Sequence, residues 1–143
     1  MSSNTRTLAR PLVTAAIALT AAVGMVGCTS GGGGYAVFDR DPVASDELPA
    51  EYVERDSDLI DAGTSRLVGE HEGTRLYLVE GATGSSICLV VLPADEEGMA
   101  GCGGGGGPMQ VSNARETYEV RPDGYDVPDG AVQISENVFA VEP

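Results

Sequence analysis

Lysine and tryptophan are missing from the 143 residues, and only two phenylalanines, one histidine and three cysteines are present. With so few aromatic residues, we expect a small core built from Val, Leu and Ile. Eight arginines are the only basic residues and stand against 22 acidic ones. This balance argues against nucleic-acid binding, which requires a basic surface, and against direct adhesion of the folded part to anionic lipid.

The first 28 residues have the build of a bacterial secretory signal. Two arginines form a basic start, and an uncharged apolar run follows over residues 12–26. This run is too short and wrongly flanked for a permanent membrane span. Gly27 and Cys28 end the segment like a lipobox, with Met25 at the position that is usually Leu. We therefore expect cleavage between Gly27 and Cys28, and a lipid anchor on Cys28 at the outer face of the cytoplasmic membrane.

Composition divides the chain into four parts. Residues 1–27 are the expected signal peptide, and residues 28–34 are the lipidated cysteine with a glycine-rich tether. Residues 35–63 form an acidic, partly extended segment in which Leu48–Val53 could start one short helix. Residues 64–143 form a β-rich domain. The expected mature chain keeps six arginines against 22 acidic residues, a net charge of −16, and has the size of one domain.

Hydrophobic patterning predicts a mainly β fold, a small antiparallel sandwich or curled sheet of five to six strands. Residues 66–70 and 74–80 form a hairpin whose turn is His71–Gly73. Residues 87–92 are apolar at both parities, which predicts a central strand covered on both faces. A long loop is expected over residues 93–108. The remaining strands are predicted at 117–121, 131–135 and 138–142.

Cys88 and Cys102 are left as a pair once Cys28 is assigned to the lipid anchor. Outside the cytoplasm, such a pair usually forms a disulfide. Closing a loop of this length would stabilise the fold by about 3 kcal/mol. The alternative is two free thiols in a metal or redox site. The absence of a Cys-x-x-Cys motif and the single histidine favour the disulfide.

Short motifs are spread over the expected mature chain: Phe38-Asp39-Arg40, Leu48-Pro49, Ser65-Arg66-Leu67-Val68-Gly69, Ile87-Cys88-Leu89-Val90, Gly101-Cys102-Gly103 and Ile134-Ser135-Glu136-Asn137-Val138. In these motifs the chain resembles small, uncharacterised cell-envelope lipoproteins of actinobacteria. The glycine run Gly103–Gly107 is longer than such proteins usually show. The resemblance implies an extracytoplasmic lipoprotein with paired cysteines, and supplies no substrate, cofactor or catalytic residue.

Acidic loops are the candidates for a cation site. Asp123, Asp126 and Asp129 recur every three residues and would suit a loose extracellular Ca²⁺ site. The competing and favoured interpretation is ordinary Pro-Asp-Gly turn chemistry on a solvated acidic face. Asp56–Asp61 begins like an EF-hand loop, but aspartate replaces the glycine required at its sixth position. The glycines at 103–107 lack the Lys-Ser/Thr of a phosphate-binding loop.

His71 is the only side chain that ordinarily titrates near neutral pH, and it lies beside a predicted turn with no nucleophile motif near it. We therefore predict no catalytic site and no cofactor. The leading hypothesis is a non-enzymatic, lipid-anchored accessory or interaction domain, with a basic protein or a cell-wall component as its partner. The alternative is a Ca²⁺-binding or sensing module, and an enzyme is the third possibility.

Overall fold

A computed structural model describes residues 34–142 of the chain. The fold is mainly β, with two antiparallel sheets of four strands each and one short α-helix. The predicted fold class is therefore confirmed, although the strands number eight rather than five to six. Within residues 34–142, no helix is long and apolar enough to cross a membrane.

The first sheet is a meander in which the strands follow chain order: β1 (Ile60–His71), β2 (Thr74–Gly81), β3 (Ser86–Leu92) and β4 (Met99–Gly104). The second sheet has the spatial order β5-β6-β8-β7 and contains β5 (Met109–Ser112), β6 (Thr117–Val120), β7 (Val132–Gln133) and β8 (Val138–Val141). Helix α1 (Ala50–Asp56) precedes both sheets, after two 3₁₀ turns at Ala36–Asp39 and Ala44–Asp46.

The core consists of two apolar clusters, one on each face of the first sheet. The cluster between the sheets contains Tyr35, Leu76, Leu78, Leu89, Val91, Val111, Tyr118, Val120 and Val138. The cluster on the outer face contains Leu48, Tyr52, Ile60, Tyr77, Val79, Cys88, Val90 and Leu92. Since β3 lies between β2 and β4 and is covered on both sides, the prediction for residues 87–92 is confirmed.

The prediction of a loop over residues 93–108 is wrong, because β4 lies within it. Its sequence, Met-Ala-Gly-Cys-Gly-Gly, has neither alternation nor β-branched residues, so local propensity does not reveal a strand. The glycines have a packing role instead. A Cβ atom on Gly101 would lie 2.6 Å from the side chain of Val111, and β5 therefore reaches β4 only because that side chain is absent.

The acidic segment 35–63 packs on the first sheet. Leu48 and Tyr52 are buried there, and β1 begins within the segment at Ile60. The carboxylate of Asp46 is only 2% exposed and accepts two hydrogen bonds from Arg40, at 2.6 and 2.7 Å. These bonds join the two 3₁₀ turns to each other, and the N–H of Leu67 in β1 donates to the same carboxylate at 2.8 Å, which holds the turns against the first sheet. The acidic segment is therefore part of the folded domain rather than a second linker.

Candidate functional site

The predicted anchor residues Gly27 and Cys28 lie outside the described residues. Cys88 and Cys102 lie directly opposite each other on β3 and β4, and their Sγ atoms are bonded at 2.06 Å. Cys88 is fully buried in the outer cluster. Because both cysteines of residues 34–142 are used in this disulfide, that part of the chain offers no free thiol for a metal or redox site.

The three aspartates considered for calcium are not brought together. The carboxylate of Asp123 accepts hydrogen bonds from the backbone N–H of Ala36, at 2.6 Å, and from the Asn137 amide, at 2.8 Å. Asp126 and Asp129 are exposed. The carboxylate oxygens of the three aspartates do not come close enough together to hold one ion. Asp123 instead fastens the start of the described chain to the loop after β6.

A different group of ligands is assembled where the two sheets meet. One ligand atom from each of His71, Glu72 and Glu116 lies within 4.8 Å of the others. His71 ends β1, and Glu72 follows it in the β1–β2 turn, where Glu72 and Gly73 have φ values of 49° and 82°. Such a turn of two residues with positive φ is typical of tight hairpins. Glu116 comes from the second sheet, at the turn between β5 and β6.

The turn that carries Glu116 is held by Asn113. The Asn113 Oδ1 atom accepts hydrogen bonds from the backbone N–H groups of Arg115, at 2.8 Å, and Glu116, at 2.7 Å. The Asn113 N–H donates to the Glu116 carbonyl at 2.9 Å. The Arg115 guanidinium forms an ion pair with Glu96. The backbone of Glu116 is therefore fixed. The neighbouring Arg115 does not pair with the Glu116 carboxylate, because it is paired with Glu96.

Two buried polar atoms beside this group have no partner among the described residues: Nδ1 of His71 and the hydroxyl oxygen of Tyr118. Tyr118 is fully buried, and its ring meets the His71 ring edge to face, with centroids 6.1 Å apart. Burial, together with the adjacent Glu116 carboxylate, raises the pKa of Tyr118. Unpaired buried polar atoms are costly, so their position around one cluster marks it as a candidate binding site.

An acidic groove of about 1080 Å³ runs beside the cluster, between α1, the β1–β2 turn and the loop after β3. Tyr52 and Leu92 supply its apolar floor. Its carboxylates are Glu51, Glu70, Asp95, Glu96 and Glu97. A smaller pocket of about 350 Å³, bordered by Glu72 and Glu116, shares the wall formed by Asp95 and Glu96. The groove and the cluster thus occupy the same end of the molecule.

Most arginines of residues 34–142 are already engaged. Those in ion pairs with carboxylates are Arg40, Arg55, Arg115 and Arg121. Arg66 is buried and donates to the carbonyl oxygens of Arg40, Thr64 and Ser65. In contrast, Asp46 and Glu119 are the only buried acidic residues in this part of the chain. The exposed surface is therefore strongly negative, with few free positive charges.

Sequence reasoning considered His71 only for catalysis and assigned it no site, and it missed the carboxylates that lie near it. Glu72 looked like an ordinary turn residue, and Glu116 belongs to a hairpin whose first strand, β5, was not predicted. Recognition of Met109–Ser112 as a strand would have made residues 113–116 a hairpin turn. Even then, only the packing of the two sheets brings that turn to His71.

In comparisons with protein-family models, curated proteins and solved structures, nothing matches this chain.

Proposed function

We propose that the chain is a lipid-anchored, extracytoplasmic interaction domain that binds a cationic segment of a partner protein in the acidic groove. The observation that carries the proposal is the groove itself, in which five carboxylates surround an apolar floor. The proposed role is binding, with no chemical step. Membrane attachment rests on the Gly27-Cys28 motif of the sequence.

The position of the groove supports an orientation away from the membrane. The described chain starts at Gly34, whose carbonyl accepts a hydrogen bond from the N–H of Asp123 at 2.9 Å. Tyr35 borders the β2–β3 turn near Gly84. The groove lies beside Gly73, at the opposite end of β2. This strand has eight residues, and at about 3.3 Å per residue the two ends are about 25 Å apart.

The tether between the expected lipid anchor and the folded domain is short. Residues 29–33 separate Cys28 from Gly34, and an extended chain spans at most about 3.6 Å per residue, or about 22 Å in all. With the anchor in the bilayer, the end near Gly34 is held close to the lipid headgroups. The groove is then presented outward, where an exposed basic segment can reach it.

Charge complementarity identifies the partner's chemistry. Arg55 in the groove is occupied by Asp56, at 3.0 Å, and by the carbonyl of Gly98, at 2.7 Å, and its guanidinium lies over the Tyr52 ring. It also forms an ion pair with Glu97 of the groove, at 3.5 Å, and Arg75 lines the groove as well. The five carboxylates still outnumber these two arginines, so the groove stays negative. A peptide with several Lys or Arg residues would add ion pairs on the rim. Such rim charges chiefly increase association rates and specificity, so the binding should weaken with salt.

A synthetic Lys- and Arg-rich peptide tests the proposal by calorimetry on the full chain in detergent, with chelator present. The groove variant is Glu51→Gln/Glu70→Gln/Asp95→Asn, and none of these three carboxylates accepts a hydrogen bond within residues 34–142. A control variant changes the charge equally at exposed sites outside the groove: Asp58→Asn/Asp126→Asn/Asp129→Asn. The groove variant should raise Kd by about tenfold relative to the control.

Equal weakening by both variants would mean diffuse attraction to a negative protein and would overturn the groove assignment. Absence of peptide binding at low salt would overturn the proposed function as a whole. Tight binding of an isolated cell-wall polymer, unaffected by the groove variant, would direct the search to the wall component instead.

A further inference from the structure

We propose that His71, Glu72 and Glu116 form a binding site for one divalent transition-metal ion, for which Zn²⁺ is the best match. The site is separate from the acidic groove and does not depend on the function proposed for it. Its ligands come from one turn of each sheet, so a bound ion would join the two sheets at this end of the molecule.

The donor set selects the class of ion. Zn²⁺ is bound by imidazole nitrogen and carboxylate oxygen, and sites with three protein ligands leave a fourth position for water. Imidazole also suits Ni²⁺, Cu²⁺ and iron. Ca²⁺ instead takes six to eight oxygen ligands. A group of one nitrogen and two carboxylates therefore favours a transition metal over the calcium that the aspartates had suggested.

The distances leave room for an ion after small side-chain adjustments. The three ligand atoms lie within 4.8 Å of one another, whereas ligands at about 2.1 Å from a tetrahedral Zn²⁺ are about 3.4 Å apart. Glu72 is exposed and Glu116 is half-buried, so both carboxylates can rotate into place. The backbone of Glu116, held by Asn113, stays fixed during this adjustment.

The buried polar atoms provide independent support. Tyr118 is fully buried, and its hydroxyl lies beside the Glu116 carboxylate and Thr74, with no hydrogen bond of good geometry within residues 34–142. The Nδ1 atom of His71 is buried and unpaired within the same residues, so this ring nitrogen is available to an ion. In metal sites, polar neighbours hold the ligands in place, and the Tyr118 hydroxyl is placed to do so for the Glu116 carboxylate. Two carboxylates also balance the charge of a divalent cation.

Binding of Zn²⁺ to the full-length chain tests the site. The chain carries Cys28→Ser in every sample, because a free thiol would compete for zinc. Since His71 is the only histidine, its imidazole NMR signals report the site without assignment ambiguity. Calorimetry gives the stoichiometry and Kd. Glu72→Gln and Glu116→Gln remove one ligand each, and Asp58→Asn, at an exposed site outside the groove and the cluster, is the control of equal charge change.

We expect one saturable Zn²⁺ per chain and a shift of the His71 imidazole signals that an equal concentration of Ca²⁺ does not cause. Each glutamate variant should weaken binding by at least about tenfold, because even outer neighbours of metal ligands contribute that much. Asp58→Asn should change Kd by less than about twofold. Unmoved imidazole signals, or an equal loss in Asp58→Asn, would overturn the site. Neither result bears on peptide binding measured with chelator.

Discussion

Asp46 is the carboxylate that ties the acidic segment to β1, and Asp46→Ala should destabilise the protein strongly. The Arg40 guanidinium donates two hydrogen bonds to it, at 2.6 and 2.7 Å. The backbone N–H groups of Val43 and Leu67 each donate one at 2.8 Å. Truncation removes the acceptor of all four bonds. The side chain of Asp46 is 2% exposed, so little water is available to replace it.

The loss of stability in Asp46→Ala depends on which of the four freed hydrogen-bond donors can bind water instead. Arg40 is 39% exposed, so its freed guanidinium is resolvated and its share must be discounted. The N–H of Leu67 belongs to β1 and stays within the sheet. Hydrogen bonds to charged groups contribute about 1.5–3 kcal/mol each, and loss of one partner of a buried pair costs about 3–5 kcal/mol. With the discount, we expect about 2–4 kcal/mol.

The contribution of Asp46 depends on pH. The hydrogen bonds from Arg40, with those from the Val43 and Leu67 backbone, hold the pKa of this carboxyl well below its ordinary 3.8. A lowered pKa in the folded state means that the stabilisation is complete above the unfolded-state value. It is lost as the pH falls from about 4 toward the lower folded-state pKa. The difference between wild type and Asp46→Ala should therefore shrink in acid.

Urea unfolding at neutral pH and at about pH 3, followed by circular dichroism, measures this effect. Asp41→Ala is the control, because Asp41 is exposed and its carboxylate accepts no hydrogen bond from the described residues. The control should change the free energy of unfolding by no more than about 0.5 kcal/mol. The reasoning would be refuted if Asp46→Ala lowered the free energy of unfolding at neutral pH by no more than Asp41→Ala does. It would also be refuted if the destabilisation by Asp46→Ala were larger at about pH 3 than at neutral pH.

Three further predictions concern the sheets and the tyrosines. Replacing both bridged cysteines by Ala should lower the free energy of unfolding by about 3 kcal/mol, since the bridge spans a sequence separation of 14; a loss under about 1 kcal/mol in urea unfolding would contradict it. Gly101→Ala should lower it by about 1–3 kcal/mol because its Cβ meets a side chain of β5, whereas Gly104→Ala, with open space, should cost less in the same assay. Burial raises the pKa values of Tyr35 and Tyr52 from 10.0 to about 12. The stabilisation should therefore be complete below the unfolded-state pKa and should be lost between about pH 10 and 12. An unchanged urea midpoint over that pH range would be inconsistent with their burial.

Parts of the fold with strong local patterns could be predicted from the sequence. Residues 87–92 are apolar at both parities, and the structure covers both faces of β3. Leu76 and Leu78 lie on one face of β2, with Tyr77 and Val79 on the other, as alternation requires. The turn before β2 follows from Gly73 at positive φ. In each case the signal lies within a few neighbouring residues.

The parts that could not be predicted depend on contacts between distant residues. β4 is a strand because β3 supplies its hydrogen bonds and β5 packs on Gly101 and Gly103, and its own residues have low strand propensity. The buried carboxylate of Asp46 lay in a segment whose acidity indicated only solvent exposure. The cluster at His71 likewise needs both sheets in place before Glu116 comes near.

The central claim, a lipid-anchored domain whose paired cysteines are bridged, is tested most directly by intact mass spectrometry of the protein extracted from its native membrane, before and after reduction. We predict a diacylglyceryl-modified chain that starts at Cys28 and gains two hydrogens when the Cys88–Cys102 bond is reduced. An unlipidated chain that retains residues 1–27 would contradict the anchor. A mass that reduction leaves unchanged would contradict the disulfide.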